Sequence, residues 1–494
     1  MKSLREKFLT ALIALIVFAI ALAVRLWHLY EMPIDRLGES YHRWLINVLT
    51  LENNWVYTDF KPPPNMTIVW LPFPFYLTSF LMVLLNSKII LISRGLSVFL
   101  GSLSSVLIYF LAKKIYGSKW HGVIGGLVLA FQPWHMDFST LAVAEPISSF
   151  LILTATFALL SNKRKVFALT SVLAMLTSYE AWVIIIPEAL IGFLYFKWNL
   201  KKHLYIPLIF LLIILGWCAW SFIQAGNPIA WITSMLYTMF PYGWKLHLAN
   251  PSELLFYVNL LLVTTFFIFF LSIIFGVLRC FETRVVSAVI LTYLLYFTLI
   301  RYFGLEFGDP ARLITLMPLM AFLTPSAFPK FKGGVIKRFL LVLSLILILI
   351  IPYYSQAWIF PKKVYVVMPD YRAGLALKHS YTGGKILSDF PTVIYYSNIE
   401  LQNFLSYESL KWYLSSCDDA KLKDWFKENN VKFLVVENTS FTLAHKLFPE
   451  LTFGEKIVHK GELTFKLIYE DTSKAGYWEH DYNVPNVYIY EVEF

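Results

Sequence analysis

The sequence predicts an α-helical polytopic membrane protein that carries a C-terminal α/β domain outside the membrane. Of its 494 residues, 58% are hydrophobic and only 15% are charged, and the mean hydropathy is +0.61. A soluble domain would carry about 25% charged residues. The apolar residues also collect in runs of about 20, which is the length that an α-helix needs to cross a bilayer.

About eleven apolar segments are predicted to span the membrane. The first follows a basic N-terminus and lacks a clear small-x-small cleavage site, so we interpret it as a retained helix and not as a signal peptide. The segment "WLPFPFYLTSFLMVLL" is short and has prolines near its start, which favours an interfacial or re-entrant helix. The predicted spans lie near 8–30, 88–112, 120–137, 141–160, 165–180, 181–197, 203–223, 253–278, 285–303, 311–328 and 338–357.

The distribution of basic residues predicts the orientation. With the N-terminus in the cytoplasm, six successive inner loops are rich in Lys and Arg and nearly free of acidic residues, as the positive-inside rule requires. The first outer loop, 31–87, reverses this bias and carries an excess of Asp and Glu. An odd number of spans then puts the C-terminus outside the cell membrane. The formal charge of +10 therefore reflects orientation and does not indicate nucleic-acid binding.

Near residue 358 the sequence changes character. The stretches "GGKILSDFPTVIYYSN", "NNVKFLVVEN" and "FKLIYED" are typical of short strands bounded by turn residues, and "AKLKDWFKENN" is typical of a helix. We therefore predict two domains. Residues 1–357 form the transmembrane domain with its outer loop 31–87, and residues 358–494 form an extracytoplasmic α/β domain.

Charged residues gather at the predicted outer ends of the spans. A charge near the bilayer centre costs about 2.5–3.5 kcal/mol, so a group of such residues is informative. They come from four loops on one face and predict one polar cavity, which would hold a lipid-linked anion and activate a hydroxyl beside it. These residues are Asp35, Glu39, Asp137, Glu145, Glu180, Arg301, Glu306, Asp309 and Arg312.

The order of the elements carries a family resemblance over residues 8–357. A first helix and an acidic outer loop precede a W-x-P start to an amphipathic helix, which is followed by "SRGLSVFLGSLSSVLIYFLAKKIYG". Later come "GGLVLAFQPWHMDFSTLAVAEPISSFLILTATFALL", with a carboxylate after the outer turn, and "GDPARLITLMPLMAFL", with an arginine before a proline. This pattern resembles the GT-C glycosyltransferases, which include protein O-mannosyltransferases, aminoarabinose–lipid A transferases and the catalytic subunit of oligosaccharyltransferase.

The resemblance implies a glycosyltransferase with the GT-C fold. It would move a sugar, mannose by default, from a polyprenyl- or dolichyl-phosphate donor to a protein, lipid or glycan acceptor on the outer face, with inversion. The stretch "LGESYHRW" resembles the family's acidic outer-loop motif, which makes Glu39 the expected general base and Asp35 the reserve. Gly38 stands where many members have Asp. The resemblance also implies that Arg312 binds the donor phosphate and that Arg301 shares this role.

Three further residues are expected to line or support the cavity: His42, Asp137 and Glu145. No cofactor is required by the sequence, although Glu39, Asp137, His135 and Glu145 leave a divalent metal open. The arginines also have a plainer interpretation, as interfacial anchors that reach the lipid headgroups. Two rival functions stay open, a transporter or flippase for lipid-linked glycans and a GT-C scaffold that binds without catalysis. The absence of "WWDYG" disfavours the oligosaccharyltransferase branch.

Overall fold

The structure is a computed structural model that describes residues 2–36, 38–61, 66–233, 267–302, 311–328, 334–355, 368–413, 419–438, 443–471 and 486–494. The chain divides into two compact units. The first comprises Met1–Pro33 and Met66–Phe360, and the second comprises Ile34–Asn65 and Pro361–Phe494. Most of the first outer loop is thus grouped with the C-terminal segment.

All the regular secondary structure in the described residues of the first unit is helical. Its α-helices are α1 (Lys2–Glu31), α3 (Met66–Val69), α4 (Phe73–Leu84), α5 (Leu91–Tyr116), α6 (Lys119–Ala130), α7 (Pro133–Phe138), α8 (Glu145–Leu160), α9 (Arg164–Met175), α10 (Tyr179–Leu194), α11 (Leu200–His203), α12 (Tyr205–Ala225), α13 (Phe267–Arg279), α14 (Phe281–Tyr302), α15 (Ala311–Ile314), α16 (Met317–Leu323) and α17 (Val335–Ser355). The label α2 belongs to Gly38–Glu52 in the second unit.

Four of the described helices, namely α1, α5, α12 and α14, are long and apolar enough to cross a membrane. Several other predicted spans form shorter helices, the span predicted at 338–357 forms the 21-residue α17, and the segment predicted at 311–328 is broken into α15, α16 and a 3-10 turn. Residues 313–326 of that segment are buried, so they pack against protein and do not need the length of a lipid-facing span. The predicted span at 253–278 lies mostly outside the described residues.

Small residues let α5 and α6 approach closely. A Cβ atom built on Gly122 would lie 2.6 Å from the backbone oxygen of Tyr109, and one built on Gly126 would lie 2.9 Å from that of Ser105. Without water to drive helices together in a bilayer, close backbone packing of this kind is a main source of their association. This helix pair forms part of the large apolar core of the first unit.

The second unit contains a six-stranded sheet. Its strands are β1 (Lys385–Leu387), β2 (Phe404–Leu405), β3 (Val431–Glu437), β4 (Ile457–Lys460), β5 (Leu463–Asp471) and β6 (Val487–Glu493), and its further helices are α18 (Met368–Ser380), α19 (Pro391–Ser397), α20 (Tyr407–Tyr413), α21 (Asp419–Glu428) and α22 (Leu443–Leu447). The strand order is β2-β1-β3-β6-β5-β4. Strands β2, β1 and β3 are parallel, and β3, β6, β5 and β4 are antiparallel.

The helix α2 belongs to the second unit and packs against α19. The Tyr41 and Tyr396 hydroxyls lie 2.7 Å apart, and the Trp44 ring meets the Tyr395 ring edge-on at 4.7 Å. The predicted strand through "TVIYYS" is wrong, because these residues form α19. Pro391 sits at the first helical position, where its missing N–H is harmless, and Asn398 ends the helix at φ 53°.

Candidate active site

A buried contact between a histidine and a carboxylate joins two elements of the first unit. His28 near the end of α1 and Asp137 on α7 are nearly inaccessible, and Nε2 of His28 lies 3.2 Å from Oδ1 of Asp137. Pro133 starts α7 and the Gln132 side chain accepts a hydrogen bond from the His135 N–H, which fixes this short helix. The structure therefore places the predicted Asp137 carboxylate beside a histidine that the sequence did not single out.

A second buried network lies next to it. The Arg25 guanidinium donates to Nδ1 of His135 at 2.9 Å and to the backbone oxygen of Ala21 at 3.0 Å. Ser139 also lies within 3.3 Å of the same imidazole nitrogen. Since Nδ1 of His135 accepts from an arginine, this nitrogen is engaged, and the network holds α7 against α1.

Arg94 fixes the backbone at the end of α1. Its guanidinium is buried and donates to the carbonyl oxygens of Met32 at 2.6 Å, Pro33 at 2.7 Å and Thr140 at 2.7 Å. The planar fork of arginine suits several acceptors at once, which an ammonium group would not reproduce. This side chain links the end of α1 to the segment between α7 and α8.

Arg312 lies on α15 and forms an ion pair with Glu180, which occupies the first turn of α10. The Arg312 side chain keeps 23% of its surface exposed, and the Tyr293 hydroxyl donates to its backbone oxygen at 2.8 Å. The helix α15 also contacts α7 and α8. The structure thus gathers the elements that carry Arg312, Glu180, Asp137 and Glu145 at one end of the first unit.

Glu145 and Arg301 each lie at the end of a helix. Glu145 is the first residue of α8, where a carboxylate interacts favourably with the helix dipole. Arg301 is half-buried in the last turn of α14, where a cation is favoured for the same reason.

The expected bases, Glu39 and Asp35, belong to the second unit. Glu39 lies in the first turn of α2, and its side chain is 41% exposed. Arg43, one helical turn later, donates from Nε at 2.9 Å and from Nη2 at 2.6 Å. Both hydrogen bonds go to Oε1 of Glu39. Among the described residues, no hydrogen bond is made to Oε2 of Glu39. Asp35 is fully buried, so Glu39 is the more accessible carboxylate.

His42 is held by an acid that the sequence did not predict. Its Nε2 lies 2.8 Å from Oδ1 of Asp59, whose side chain is buried and also accepts from the Phe60 N–H at 2.7 Å. Asp59 follows His42 by 17 residues, so no helical spacing connects them. The prediction that all these side chains line a single cavity stays a prediction.

A metal centre does not emerge from the part of the chain that the structure describes. Among those residues, no three His, Cys, Asp or Glu side chains gather as metal ligands. Asp137 is paired with His28, and His135 is engaged by Arg25.

No family model matches this sequence, and no curated protein sequence matches it. The structure is similar to that of ArnT from Cupriavidus metallidurans bound to undecaprenyl phosphate, with a TM-score of 0.62, 10% identity and coverage of 98% of this chain and 97% of that chain. It is also similar to the apo oligosaccharyltransferase of Archaeoglobus fulgidus, with a TM-score of 0.53, 13% identity and coverage of 87% and 70%. A third similar structure is A. fulgidus AglB with an inhibitory peptide and a dolichol-phosphate, at a TM-score of 0.51, 12% identity and coverage of 88% and 70%.

ArnT and AglB are both members of the GT-C superfamily. The chain combines several apolar helices, four of which among the described residues are long and apolar enough to cross a membrane, with a C-terminal sheet domain. More particularly, it has the GT-C fold, which confirms the fold class predicted from the sequence.

Proposed function

We propose that the protein is a glycosyltransferase that moves a sugar from a polyprenyl- or dolichyl-phosphate donor to an acceptor on the outer membrane face. The observation that carries this proposal is the similarity to ArnT bound to undecaprenyl phosphate, which extends over 98% of the chain. The proposed sugar is mannose by default. The acceptor is a protein, a lipid or a glycan.

Arg312 is the proposed ligand of the donor phosphate. Its guanidinium is partly exposed at the end of the helical unit that carries the predicted spans. A guanidinium binds phosphate bidentately and stays charged in a partly dry site. The carboxylate of Glu180 holds the side chain in place before the donor arrives. Arg301, in the last turn of α14, is proposed to share the phosphate charge.

Glu39 is the proposed general base. The acceptor hydroxyl gives its proton to Oε2 of Glu39 while the hydroxyl oxygen bonds to the anomeric carbon of the sugar. The bond from that carbon to the phosphate oxygen breaks, and its electron pair leaves with the polyprenyl phosphate. One displacement of this kind inverts the anomeric centre and needs one base and one stabilised leaving group. Asp35 is the reserve because it is buried.

Three residues have proposed supporting roles. His42 is held by Asp59 and lies on the same helix as Glu39, where it is proposed to support the polar surroundings of the base. Asp137 and Glu145 lie on elements that contact the helix of Arg312. They shape the polar end of the first unit and are not assigned a proton transfer.

The test is a transfer assay with purified protein and a panel of radiolabelled polyprenyl-phosphate sugars. We expect wild type to release polyprenyl phosphate or to pass label to an acceptor. Arg312→Gln should weaken donor binding, and the matched control Arg5→Gln, at an exposed position in α1, should not. Donor binding without any turnover, in the presence of protein, lipid and glycan acceptors, would contradict the proposal and favour a flippase or a non-catalytic scaffold.

A further inference from the structure

A basic cavity lies at the start of α9 and α12, in a part of the first unit that the proposed reaction does not use. Its volume is about 670 Å³. Its polar lining includes Arg164, Lys165, Lys202 and His203. The described residues that line the cavity include no acid, so its positive charge is not neutralised from within.

The contact between Arg164 and His203 shows how unusual this lining is. Nη1 of Arg164 lies 2.6 Å from Nε2 of His203. Because a guanidinium only donates, the imidazole nitrogen must be the acceptor, and this ring nitrogen therefore carries no proton. Arg164 and His203, whose N–H groups can both donate hydrogen bonds to an anion, are thus in contact with each other. Nε of Arg164 also reaches Oδ1 of Asn162, at 3.3 Å.

Apolar surface continues from the cavity along both helices. On α9, Leu169 is 62% exposed. Leu204, which precedes the first residue of α12, and Leu208 and Leu212 on α12 are also exposed and recur every four residues. This spacing puts the three leucines on one helix face. A compact basic site therefore opens onto a surface that suits acyl chains.

We propose that this cavity binds the phosphate headgroup of an anionic phospholipid, whose acyl chains lie along α9 and α12. Basic pockets between membrane helices are suited to such headgroups. Charge complementarity selects an anionic headgroup, and the exposed leucines select a lipid over a free phosphate. The orientation predicted from the sequence puts the cavity at the cytoplasmic leaflet.

The headgroup would interact with three cationic side chains that line the cavity, and two of these, Lys165 and Lys202, are exposed. Arg164 offers its planar fork to phosphate oxygens, and Lys165 and Lys202 add charge from the two sides. One basic residue near an anionic lipid surface contributes about 1 kcal/mol, which corresponds to about a fivefold change in affinity. Removing both lysines is therefore expected to weaken binding more than about tenfold.

The experiment is native mass spectrometry of the full-length protein with phosphatidylglycerol or phosphatidylcholine of the same acyl chains. We expect wild type to retain phosphatidylglycerol preferentially, and Lys165→Gln/Lys202→Gln to lose this preference. The matched control is Lys7→Gln/Lys337→Gln, which removes the same charge from exposed positions on α1 and α17. Equal elution volumes and unfolding temperatures would establish that both double variants are folded.

Three results would overturn the proposal. Equal retention of the two lipids by wild type would exclude a headgroup site. Equal loss of phosphatidylglycerol in both double variants would assign the effect to total charge. Displacement of the lipid by millimolar inorganic phosphate would show that the cavity takes a free phosphate. None of these outcomes depends on the proposed glycosyl transfer, because the assay contains no sugar donor.

Discussion

A carboxyl pair in the second unit leads to a prediction about pH. The carboxyl of Asp370 on α18 lies beside that of Glu437 at the end of β3. Burial raises the pKa of Asp370 from 3.8 to about 7, and the nearby Asp471 adds to the rise. Burial and the Asp370 charge also raise the pKa of Glu437 well above its usual value, although Lys61 opposes this. The neighbouring Asp471 is paired with Arg372 through both carboxylate oxygens.

The sign of the pH dependence follows from these directions. A carboxyl with a raised folded-state pKa keeps its proton longer in the folded state than in the unfolded state. Between about pH 4 and pH 7 the folded state therefore binds more protons, and stability falls as the pH rises. Each pKa unit corresponds to about 1.4 kcal/mol, so the full rise for Asp370 sets an upper bound of about 4 kcal/mol at pH 8.

Replacing Glu437 by Gln removes one of the two titratable carboxyls and keeps a hydrogen-bonding side chain. We expect Glu437→Gln to stabilise the sheet at pH 8 by about 2–4 kcal/mol, and to change it by no more than about 1 kcal/mol at pH 5.5. The assay is amide hydrogen exchange of β3 and β5 in the full-length protein. Variant and wild type are compared at the same pH, so the intrinsic exchange rate cancels.

The expected gain at pH 8 is at least about thirtyfold in protection of β3 and β5, since about 1.4 kcal/mol is tenfold and the lower limit is about 2 kcal/mol. Glu428→Gln is the matched control, because Glu428 is exposed at the end of α21. Lower protection of Glu437→Gln at both pH values would refute the reasoning, since the pair would then stabilise the sheet in either ionisation state.

Two further predictions concern the helical unit. Gly122→Ala should destabilise this unit by about 1–3 kcal/mol, because the added methyl group overpacks against α5. The control Gly95→Ala has open space around the added methyl group and should be neutral or stabilising. Thermal unfolding in detergent compares the two variants, and equal shifts in unfolding temperature would contradict the packing argument. Arg94→Met leaves three carbonyl oxygens without their donor, at about 1–3 kcal/mol each. The unfolding temperature of Arg94→Met should fall further than that of Gly122→Ala. An unchanged unfolding temperature would show that the three hydrogen bonds of Arg94 do not stabilise the protein.

The fold class follows from the sequence because hydropathy and charge act over long windows. The β-branched and aromatic run at Val431–Glu437 forms the predicted strand β3, and "AKLKDWFKENN" contributes to the predicted helix α21. The error at α19 has a local cause. Ile394, Tyr395 and Tyr396 favour strands by propensity, but Pro391 starts a helix there and Asn398 ends it.

The lengths of the membrane helices were less predictable. A window of apolar residues cannot distinguish a helix that faces lipid from one that is buried in protein. The segment at 311–328 is apolar for the second reason, and it breaks into short pieces between other helices. The first unit thus contains both kinds of apolar helix.

The contacts of the site residues also differ in whether the sequence predicts them. The contact from Arg43 to Glu39 follows from their spacing of four residues on a helix. The partners His28 and Asp137 are separated by 109 residues, and no periodicity links them. The role of Arg94 is hardest to predict, because its acceptors are backbone carbonyl oxygens. Every residue has such an oxygen, so the sequence does not show which ones Arg94 contacts.

The most direct test of the proposed function compares wild type with Glu39→Gln in the donor assay. Glu39→Gln should fold and bind the polyprenyl-phosphate sugar as wild type does, but transfer at least about a hundredfold more slowly because the base is lost. Glu52→Gln, at the other end of α2, should transfer at the wild-type rate. Equal transfer by wild type and Glu39→Gln would contradict the assignment of the base and direct attention to Asp35.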